Sequence, residues 1–155
     1  LDQPVAGSYP GGIVSFRSDG QEQAKPLKVC GWEGPAGDGT HAVGTSARLR
    51  FDPASPIDDA VLVLELRAVS RTGIPHQAVE LSVNGAKLAT LKVSSEAEQV
   101  FEVLLDRDIG SEAGPLEVEL ALPDAVKMGP TDPATRWRSV KLTAAGVVPG
   151  DGAQP

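Results

Sequence analysis

The fold of this chain is decided by the stretch Ala78-Val79-Glu80-Leu81-Ser82-Val83-Asn84-Gly85-Ala86-Lys87-Leu88-Ala89-Thr90-Leu91-Lys92-Val93. Before the central Asn-Gly pair, apolar and polar side chains alternate, which is the period-two pattern of a strand with one buried face. After the pair, Ala89, Leu91 and Val93 repeat that pattern. Asn84-Gly85 supplies the two residues that adopt positive φ in a type I′ turn. We therefore predict a β-hairpin over residues 78–93.

The same alternation recurs along the whole chain of 155 residues, between glycines and prolines that interrupt it. The 17 Gly and 13 Pro are scattered rather than gathered in one tract, which is typical of many short elements. No segment shows a helical stripe, so about nine strands and no substantial helix are predicted. Besides the two hairpin strands, they are Ile13–Arg17, Leu27–Cys30, Ala47–Phe51, Val61–Val69, Gln99–Asp106, Leu116–Leu122 and Trp137–Ala144.

Short antiparallel strands without helices to cover them must pack as two sheets or close on themselves. We therefore predict an all-β fold, an antiparallel two-sheet β-sandwich of the jelly-roll type. The sandwich is assigned to residues 13–147. Residues 1–12 are expected to be a linker or N-terminal extension, and residues 148–155 a flexible tail, because Gly, Pro and polar residues dominate there.

Charge and composition exclude several classes of function. With 14 Lys and Arg against 21 Asp and Glu, the net charge of −7 repels a phosphate backbone, so no nucleic-acid partner is expected. The longest apolar run, Ala60–Leu64, is far shorter than the ~20 residues of a membrane span. The single Cys30 and two His residues argue against a soft-metal site. Asp19, Asp58 and Asp59 lack the spacing of a calcium loop and are interpreted as solvated turn residues, so neither metal nor cofactor is predicted.

The loop of residues 30–41 holds the candidate binding residues. Trp32 can stack on the apolar face of a sugar ring while Glu33 or Asp38 accepts hydrogen bonds from its hydroxyls. Trp137, which lies between two arginines, is the second candidate for stacking. The alternative is that both tryptophans close the ends of a sandwich core. No catalytic residue is predicted, because no nucleophile can be paired with a base from this sequence.

Short motifs follow one another in a defined order over residues 12–146. They are Gly12-Ile13-Val14-Ser15-Phe16, Gly31-Trp32-Glu33-Gly34-Pro35, Ala47-Arg48-Leu49-Arg50-Phe51, Val83-Asn84-Gly85, Pro123-Asp124-Ala125, Met128-Gly129, Asp132-Pro133 and Arg138. This order resembles the β-sandwich domain, similar to carbohydrate-binding modules and galactose-binding jelly rolls, at the extracytoplasmic C-terminus of some bacterial membrane glycosyltransferases and phosphoglycerol-transferase-like proteins. The resemblance implies saccharide binding and a periplasmic or cell-surface location.

These observations predict a non-catalytic accessory module that recognises an oligosaccharide or polysaccharide and positions an attached or partner glycan-processing enzyme. That enzyme is expected to be a membrane-embedded catalytic domain or a partner protein. Because the chain opens at Leu1 rather than Met, we expect a processed product or a piece of a longer chain. The alternative is a structural or protein-interaction domain without a ligand of its own. A third hypothesis is a glycan-active hydrolase or lyase on the same sandwich.

Overall fold

Two antiparallel β-sheets make up the part of the chain that the computed structural model describes, residues 9, 11–32, 39–53, 59–68, 76–94, 97–105, 115–123, 126–127 and 137–149. Its strands are β1 (Gly12–Ser15), β2 (Lys28–Cys30), β3 (Thr40–Val43), β4 (Ser46–Phe51), β5 (Ala60–Ala68), β6 (His76–Val83), β7 (Ala86–Ser94), β8 (Gln99–Leu104), β9 (Leu116–Ala121), β10 (Val126–Lys127) and β11 (Trp137–Pro149). Sheet A has the order β1-β11-β5-β8, with β3 and β10 also paired to β11. Sheet B has the order β2-β4-β9-β6-β7. The predicted β-sandwich is confirmed.

The predicted hairpin of residues 78–93 is present as β6 and β7. Asn84 and Gly85 join the strands with φ angles of +50° and +85°, the positive values that the turn requires. Val79 lies opposite Leu91 in the register, and both side chains are buried. A β-bulge near the turn shifts the register by one residue, so that Leu81 lies opposite Ala89 but Ser82 lies opposite Lys87.

The core lies between the two sheets and takes every second side chain from the central strands. On β5 the inward set is Leu62, Leu64 and Leu66, and each of these side chains is fully buried. Leu120 on β9 and Leu81 on β6 face them from sheet B. Burying one such side chain stabilises the fold by about 1.5–3 kcal/mol. This spacing places the intervening residues on the two outer faces, where a ligand can reach them.

Strand β11 is longer than the sequence pattern predicts. The predicted strand ends at Ala144, whereas β11 continues to Pro149 and pairs with Ala60, across the boundary predicted after residue 147. A bulge between Leu142 and Ala144 shifts the pairing with β5 and interrupts the alternation. At Gly146 the backbone of β1 crosses so closely that a Cβ atom would lie 2.8 Å from the Cα of Ile13. Glycine at this position therefore permits a central strand rather than ending it.

Tyr9 belongs to the core although it lies in the predicted N-terminal linker. Its ring is 2% exposed and makes an edge-on contact with Phe51 at 5.1 Å between ring centroids. The Val147 amide donates a hydrogen bond to the Tyr9 hydroxyl at 2.7 Å, and this hydroxyl donates to the carbonyl of Gly12. The sandwich therefore begins at least at Tyr9, because this side chain ties β1, β4 and β11 together.

A short helical segment follows β1 and is compatible with the expected absence of a substantial helix. It runs as a 3₁₀ turn (Ser18–Gly20), a four-residue α-helix (Gln21–Ala24) and a second 3₁₀ turn (Lys25–Leu27). Ala24 and Leu27 are buried, so the segment packs against the core before β2. Within the described ranges, helices of the length and apolar character needed to cross a membrane are not found.

Candidate functional site

The turn at Gly31 joins the two sheets at the candidate site. Gly31 has φ of +83°, and a Cβ atom there would lie 2.7 Å from the Cα of Ala47 on β4. The Val43 amide of β3 donates to the Gly31 carbonyl at 2.7 Å, and Trp32 pairs with Ala42. Glycine is required at position 31 because of both the positive φ and the close approach of β4. The turn fixes where the next residue, Trp32, leaves the backbone.

The Trp32 side chain is half-buried and packs against the core. Its Nε1 donates a hydrogen bond to the Arg48 carbonyl on β4 at 2.8 Å. The polar atom of the ring is therefore used by the fold, as expected of a tryptophan that closes the end of a core. The remaining exposure leaves part of the ring available to a ligand, so the two interpretations of Trp32 are compatible.

Strand β3 lies between the backbones of the two candidate tryptophans. Trp137 begins β11 and pairs with Lys127 of β10, and its neighbour Arg138 pairs with Val43 of β3. On the other side of β3, Trp32 pairs with Ala42. Two strand spacings amount to about 10 Å, so the backbones of positions 32 and 137 lie at one end of sheet A. The sequence separates these positions by more than a hundred residues.

The two carboxylates of the predicted site, Glu33 and Asp38, lie outside the described residues. The next residue that the structure describes is Gly39, directly before β3. A Cβ atom at Gly39 would lie 2.9 Å from the Cγ atom of Lys141, so the chain passes close against β11 as it enters β3. The roles of both carboxylates stay predictions.

The outer face of sheet B carries charged side chains in cross-strand pairs. Arg48 on β4 lies 3.5 Å from Glu119 on β9, and Arg50 lies 3.5 Å from Glu117. These partners are directly opposite in the register. Tyr9, Phe16 and Phe51 are all in the core. Among the residues described, this face therefore lacks the flat aromatic platform of a polysaccharide-binding surface.

The outer face of sheet A has a polar part and an apolar part. In the polar part, Arg17 lies 2.8 Å from Glu98 and 3.4 Å from Glu65. The Thr143 hydroxyl also donates to Glu65 at 2.7 Å, at the bulge of β11. Three large apolar side chains of this face are more than half exposed: Ile13 at 51%, Val100 at 59% and Leu104 at 68%.

No arrangement for a metal ion is found within the described part of the chain. There, groups of three or more His, Cys, Asp or Glu side chains close enough to hold a metal do not occur. Asp19 accepts a hydrogen bond from the Ser15 hydroxyl at 2.7 Å, and Asp59, directly before β5, adopts φ of +49°. The hydrogen bond of Asp19 and the positive φ of Asp59 fit the prediction that these two residues lie in turns. Asp58 lies outside the described residues.

Comparison with known proteins shows similarity in fold to solved structures. No family model and no curated protein matches the chain. A xylan-binding module of family CBM15 matches with a TM-score of 0.55 and 8% identity, over 90% of this chain and 97% of that one. A family 35 carbohydrate-binding module from Clostridium thermocellum matches with a TM-score of 0.52 and 9% identity, over 89% and 98%. The expected similarity to the fold of carbohydrate-binding modules is confirmed.

Two further matches show the same sandwich alone and within a larger chain. A module of family CBM36, solved with calcium and xylotriose, matches with a TM-score of 0.51 and 12% identity, over 88% of this chain and 98% of that one. An acetyl xylan esterase from Butyrivibrio proteoclasticus matches with a TM-score of 0.52 and 13% identity, and this chain spans only 32% of it. The sandwich therefore occurs both as a separate module and as part of an enzyme chain.

Proposed function

We propose that this chain is a non-catalytic carbohydrate-binding module whose site includes Trp32, Glu33, Asp38 and Trp137. The observation that carries the proposal is the position of β3, which brings Trp32 and Trp137 to the same end of sheet A from distant parts of the sequence. A sugar ring stacks against an indole, and carboxylates accept its hydroxyl hydrogen bonds. The shared fold with carbohydrate-binding modules supports this assignment.

A xylo-oligosaccharide is the first ligand to test. The matched CBM15 module is described as xylan-binding, and the CBM36 module was solved with xylotriose. One or two stacked rings with their hydrogen bonds give a single site a Kd of roughly millimolar to tens of micromolar. Binding of this strength suits a module that acts by holding an attached enzyme near its polymer.

The setting of the module is part of the same proposal. We infer an extracytoplasmic location, periplasmic or at the cell surface, where glycan polymers are found. The resemblance in motif order supports attachment to a membrane-embedded glycosyltransferase as an accessory domain. A larger polypeptide purified from membranes and containing this sequence together with glycosyltransferase activity would support that attachment.

Calorimetric titration with xylotriose tests saccharide binding. We expect Trp137→Ala to weaken binding about tenfold, which equals 1.4 kcal/mol. Trp32→Phe keeps an aromatic ring but loses the hydrogen bond to Arg48. Leu104→Ala is the matched control, because it removes an exposed apolar side chain on the edge strand β8. The proposal fails if the wild type binds neither xylotriose nor any bacterial polysaccharide at millimolar concentration, or if Leu104→Ala weakens binding as much as Trp137→Ala.

One observation favours the alternative of a protein-interaction domain. Ile13, Val100 and Leu104 expose apolar side chains on the outer face of sheet A. Leu104 is directly opposite Val61, and Val61 is directly opposite Val148, so these three residues form an apolar row across β8, β5 and β11. Contiguous apolar surface of this kind is typical of protein contacts. Sedimentation over a wide range of protein concentration tests it. Self-association that Leu104→Asp abolishes would favour the interaction domain, and a monomer at all concentrations would not.

The hypothesis of a hydrolase or lyase has less support among the described residues. The carboxylates Glu65, Glu117 and Glu119 of the outer faces each form ion pairs with arginine. Such carboxylates neutralise a neighbouring charge instead of acting as the acid or base that glycoside cleavage requires. Turnover of a glycan substrate by the purified chain would restore this hypothesis.

A further inference from the structure

The sandwich is incompletely closed along one of its long sides. This side is formed by β8, the last strand of sheet A, and β7, the last strand of sheet B, and the two strands contact each other. Among the described strands, each of them pairs with one neighbour only, so one backbone edge of each has no strand beside it there. The side formed by β7 and β8 is called the open side below.

Core side chains on the open side stay partly exposed. The inward leucines of the central strand β5 are fully buried. Among the described residues, five apolar side chains pack against the core while only partly buried, and four of them belong to β7 and β8: Leu88, Ala89, Phe101 and Val103. A further layer of protein against the open side would remove this apolar surface from water, which is favourable.

The open side also carries two exposed charges of opposite sign, Lys92 on β7 and Glu102 on β8. The other lysine of β7, Lys87, lies 3.4 Å from Glu80 within sheet B. Within the described ranges, neither Lys92 nor Glu102 has an ion-pair partner. The residues on either side of each point toward the core, so the two charges lie on opposite outer faces of the sandwich. They therefore cannot pair within one molecule.

Lys92 and Glu102 lie at nearly the same height along the strands. Residues 95–98 are a short link between the two strands, so β7 and β8 run in opposite directions. The Ser94 amide at the end of β7 donates a hydrogen bond at 2.6 Å to the side chain of Gln99 at the start of β8. Lys92 precedes Ser94 by two residues, and Glu102 follows Gln99 by three. The two positions therefore differ by about one residue, about 3.3 Å, along the strand direction.

We propose that two copies of this chain dimerise through the open side, so that β8 of each copy lies antiparallel beside β7 of the other. A twofold axis parallel to the strands exchanges the two layers, joins sheet A of one copy to sheet B of the other, and leaves heights along the strands unchanged. Lys92 of one copy then lies beside Glu102 of the other on a common outer face, and symmetry forms this pair twice. A twofold axis perpendicular to the sheets would instead bring two Glu102 side chains together, which is unfavourable.

This dimer leaves both candidate saccharide sites accessible. Strands β3 and β5 pair with opposite edges of β11, since Leu142 is opposite Thr40 on one side and Leu66 on the other. Strand β8 lies beyond β5, so Trp32, which pairs with β3, is on the side of the molecule away from the dimer contact. One consequence rests on the proposed function: two sites in one particle raise the apparent affinity for a polymer that spans both.

Sedimentation equilibrium of the purified chain tests the dimer. We expect the wild type to dimerise as its concentration is raised. Glu102→Lys and Lys92→Glu should each raise the dimer dissociation constant about tenfold, because each places like charges side by side twice. The double variant should restore dimerisation, and so should an equimolar mixture of the two single variants, because opposite charges then meet again at both contacts.

The matched controls are Glu22→Lys and Lys25→Glu, which make the same changes in net charge. Both positions are exposed and lie in the helical segment between β1 and β2, outside the open side. Neither control should change the dissociation constant, alone or mixed with the other. Melting temperatures establish that each variant is folded.

The outcomes separate this inference from the proposed function. A wild type that stays monomeric up to millimolar concentration would overturn the dimer, while xylotriose binding, which needs one copy only, would stand. Controls that weaken the dimer as much as Glu102→Lys would also overturn it, because only net charge would matter. If Leu104→Asp abolishes the dimer and Glu102→Lys does not, the contact is the apolar outer face of sheet A and the inference is wrong.

Two further results concern the arrangement and the ligand. If the mixture of single variants dimerises but the double variant does not, β8 lies beside β8 and the proposed arrangement is overturned. A dimer that responds to the charge reversals as expected, in a chain that binds no saccharide, would support this inference and reject the proposed function.

Discussion

The indole of Trp32 contributes to the fold through its hydrogen bond with Arg48 and is also proposed to contact the ligand. The hydrogen bond from Nε1 to the Arg48 carbonyl links β4 to the turn before β3, so truncation of Trp32 disturbs both sheets. We expect Trp32→Ala to cost about 2 kcal/mol of unfolding free energy, because it loses a half-buried ring and leaves a carbonyl unpaired. Trp32→Phe should cost less. Urea unfolding of the three proteins measures the difference, and equal stability of wild type and Trp32→Ala would contradict this structural role.

Gly31 and Gly44 provide a matched pair of substitutions. Both have positive φ, +83° and +88°, but a Cβ atom at Gly31 would collide with β4, whereas one at Gly44 would meet nothing within 4 Å. Gly44→Ala should therefore cost about 1 kcal/mol for backbone strain alone. Gly31→Ala should cost about 3 kcal/mol because overpacking is added. Similar losses in a urea titration would show that the contact of Gly31 with β4 is not tight.

Tyr9 makes the stability depend on pH in alkaline solution. Burial raises the pKa of Tyr9 above its ordinary value of 10.0, and the hydrogen bond with the Val147 backbone offsets part of this effect. Above pH 10 the unfolded chain therefore loses the phenolic proton first, and the free energy of unfolding falls as the pH rises toward the raised pKa. The full contribution is present below pH 10.

The variant Tyr9→Phe isolates this contribution. The difference in unfolding free energy between wild type and Tyr9→Phe should be constant below pH 10 and shrink above it. Tyr9 is the only tyrosine of the chain, so tyrosinate absorbance reports this side chain alone. A midpoint of 10 for that absorbance in the folded protein would contradict the raised pKa.

At the scale of elements, the β6–β7 hairpin is fixed by more than its turn. The Asn84 side chain accepts a hydrogen bond from the Glu117 amide at 2.8 Å, and the Asn84 amide donates to the Glu117 carbonyl at 2.9 Å. The turn residue thereby holds the tip of the hairpin against the start of β9. The sequence pattern predicts the turn, but this tertiary role requires knowledge of which strand lies beside it.

A series at Asn84 separates the backbone conformation from this contact. Asn84→Asp keeps an acceptor and tolerates positive φ, so its stability should be close to that of the wild type. Asn84→Gly keeps the conformation without the acceptor and should lose about 1 kcal/mol. Asn84→Ala lacks both and should lose about 2 kcal/mol. Thermal unfolding ranks the three, and an alanine variant more stable than the glycine variant would contradict the role of positive φ.

At the scale of the whole molecule, local patterns predict the sandwich but not the connections that form the site. The hairpin and strands such as β4 and β9 follow from alternation and turn residues, which act over short distances. Strand β3 begins within the stretch of residues 30–41 that the sequence presents as a loop, and it is extended because it pairs with β11. The sequence pattern places Tyr9 in a linker because its partners in the fold, Phe51 and Val147, are distant in sequence.

For the candidate site, too, the sequence predicts individual residues but not how the fold arranges them. Composition and residue type predict Trp32 and Trp137 as separate candidates, and only the pairing of β3 with both of their segments brings them together. Register also makes neighbours of residues that are far apart in the sequence, such as His41, Arg67 and Lys141 on adjacent strands of sheet A. Alternation places each on an outer face, which is the one signal that points to them.

The most direct test of saccharide binding at the end of sheet A is a nuclear magnetic resonance titration of the two indole N–H signals. The chain has two tryptophans, so the signals of Trp32 and Trp137 can be assigned with one Trp→Phe variant. We predict that both signals shift with xylotriose and follow one binding curve, because one ligand contacts both rings. Shifts confined to the outer face of sheet B, with both indole signals unmoved at saturating ligand, would contradict the proposed site.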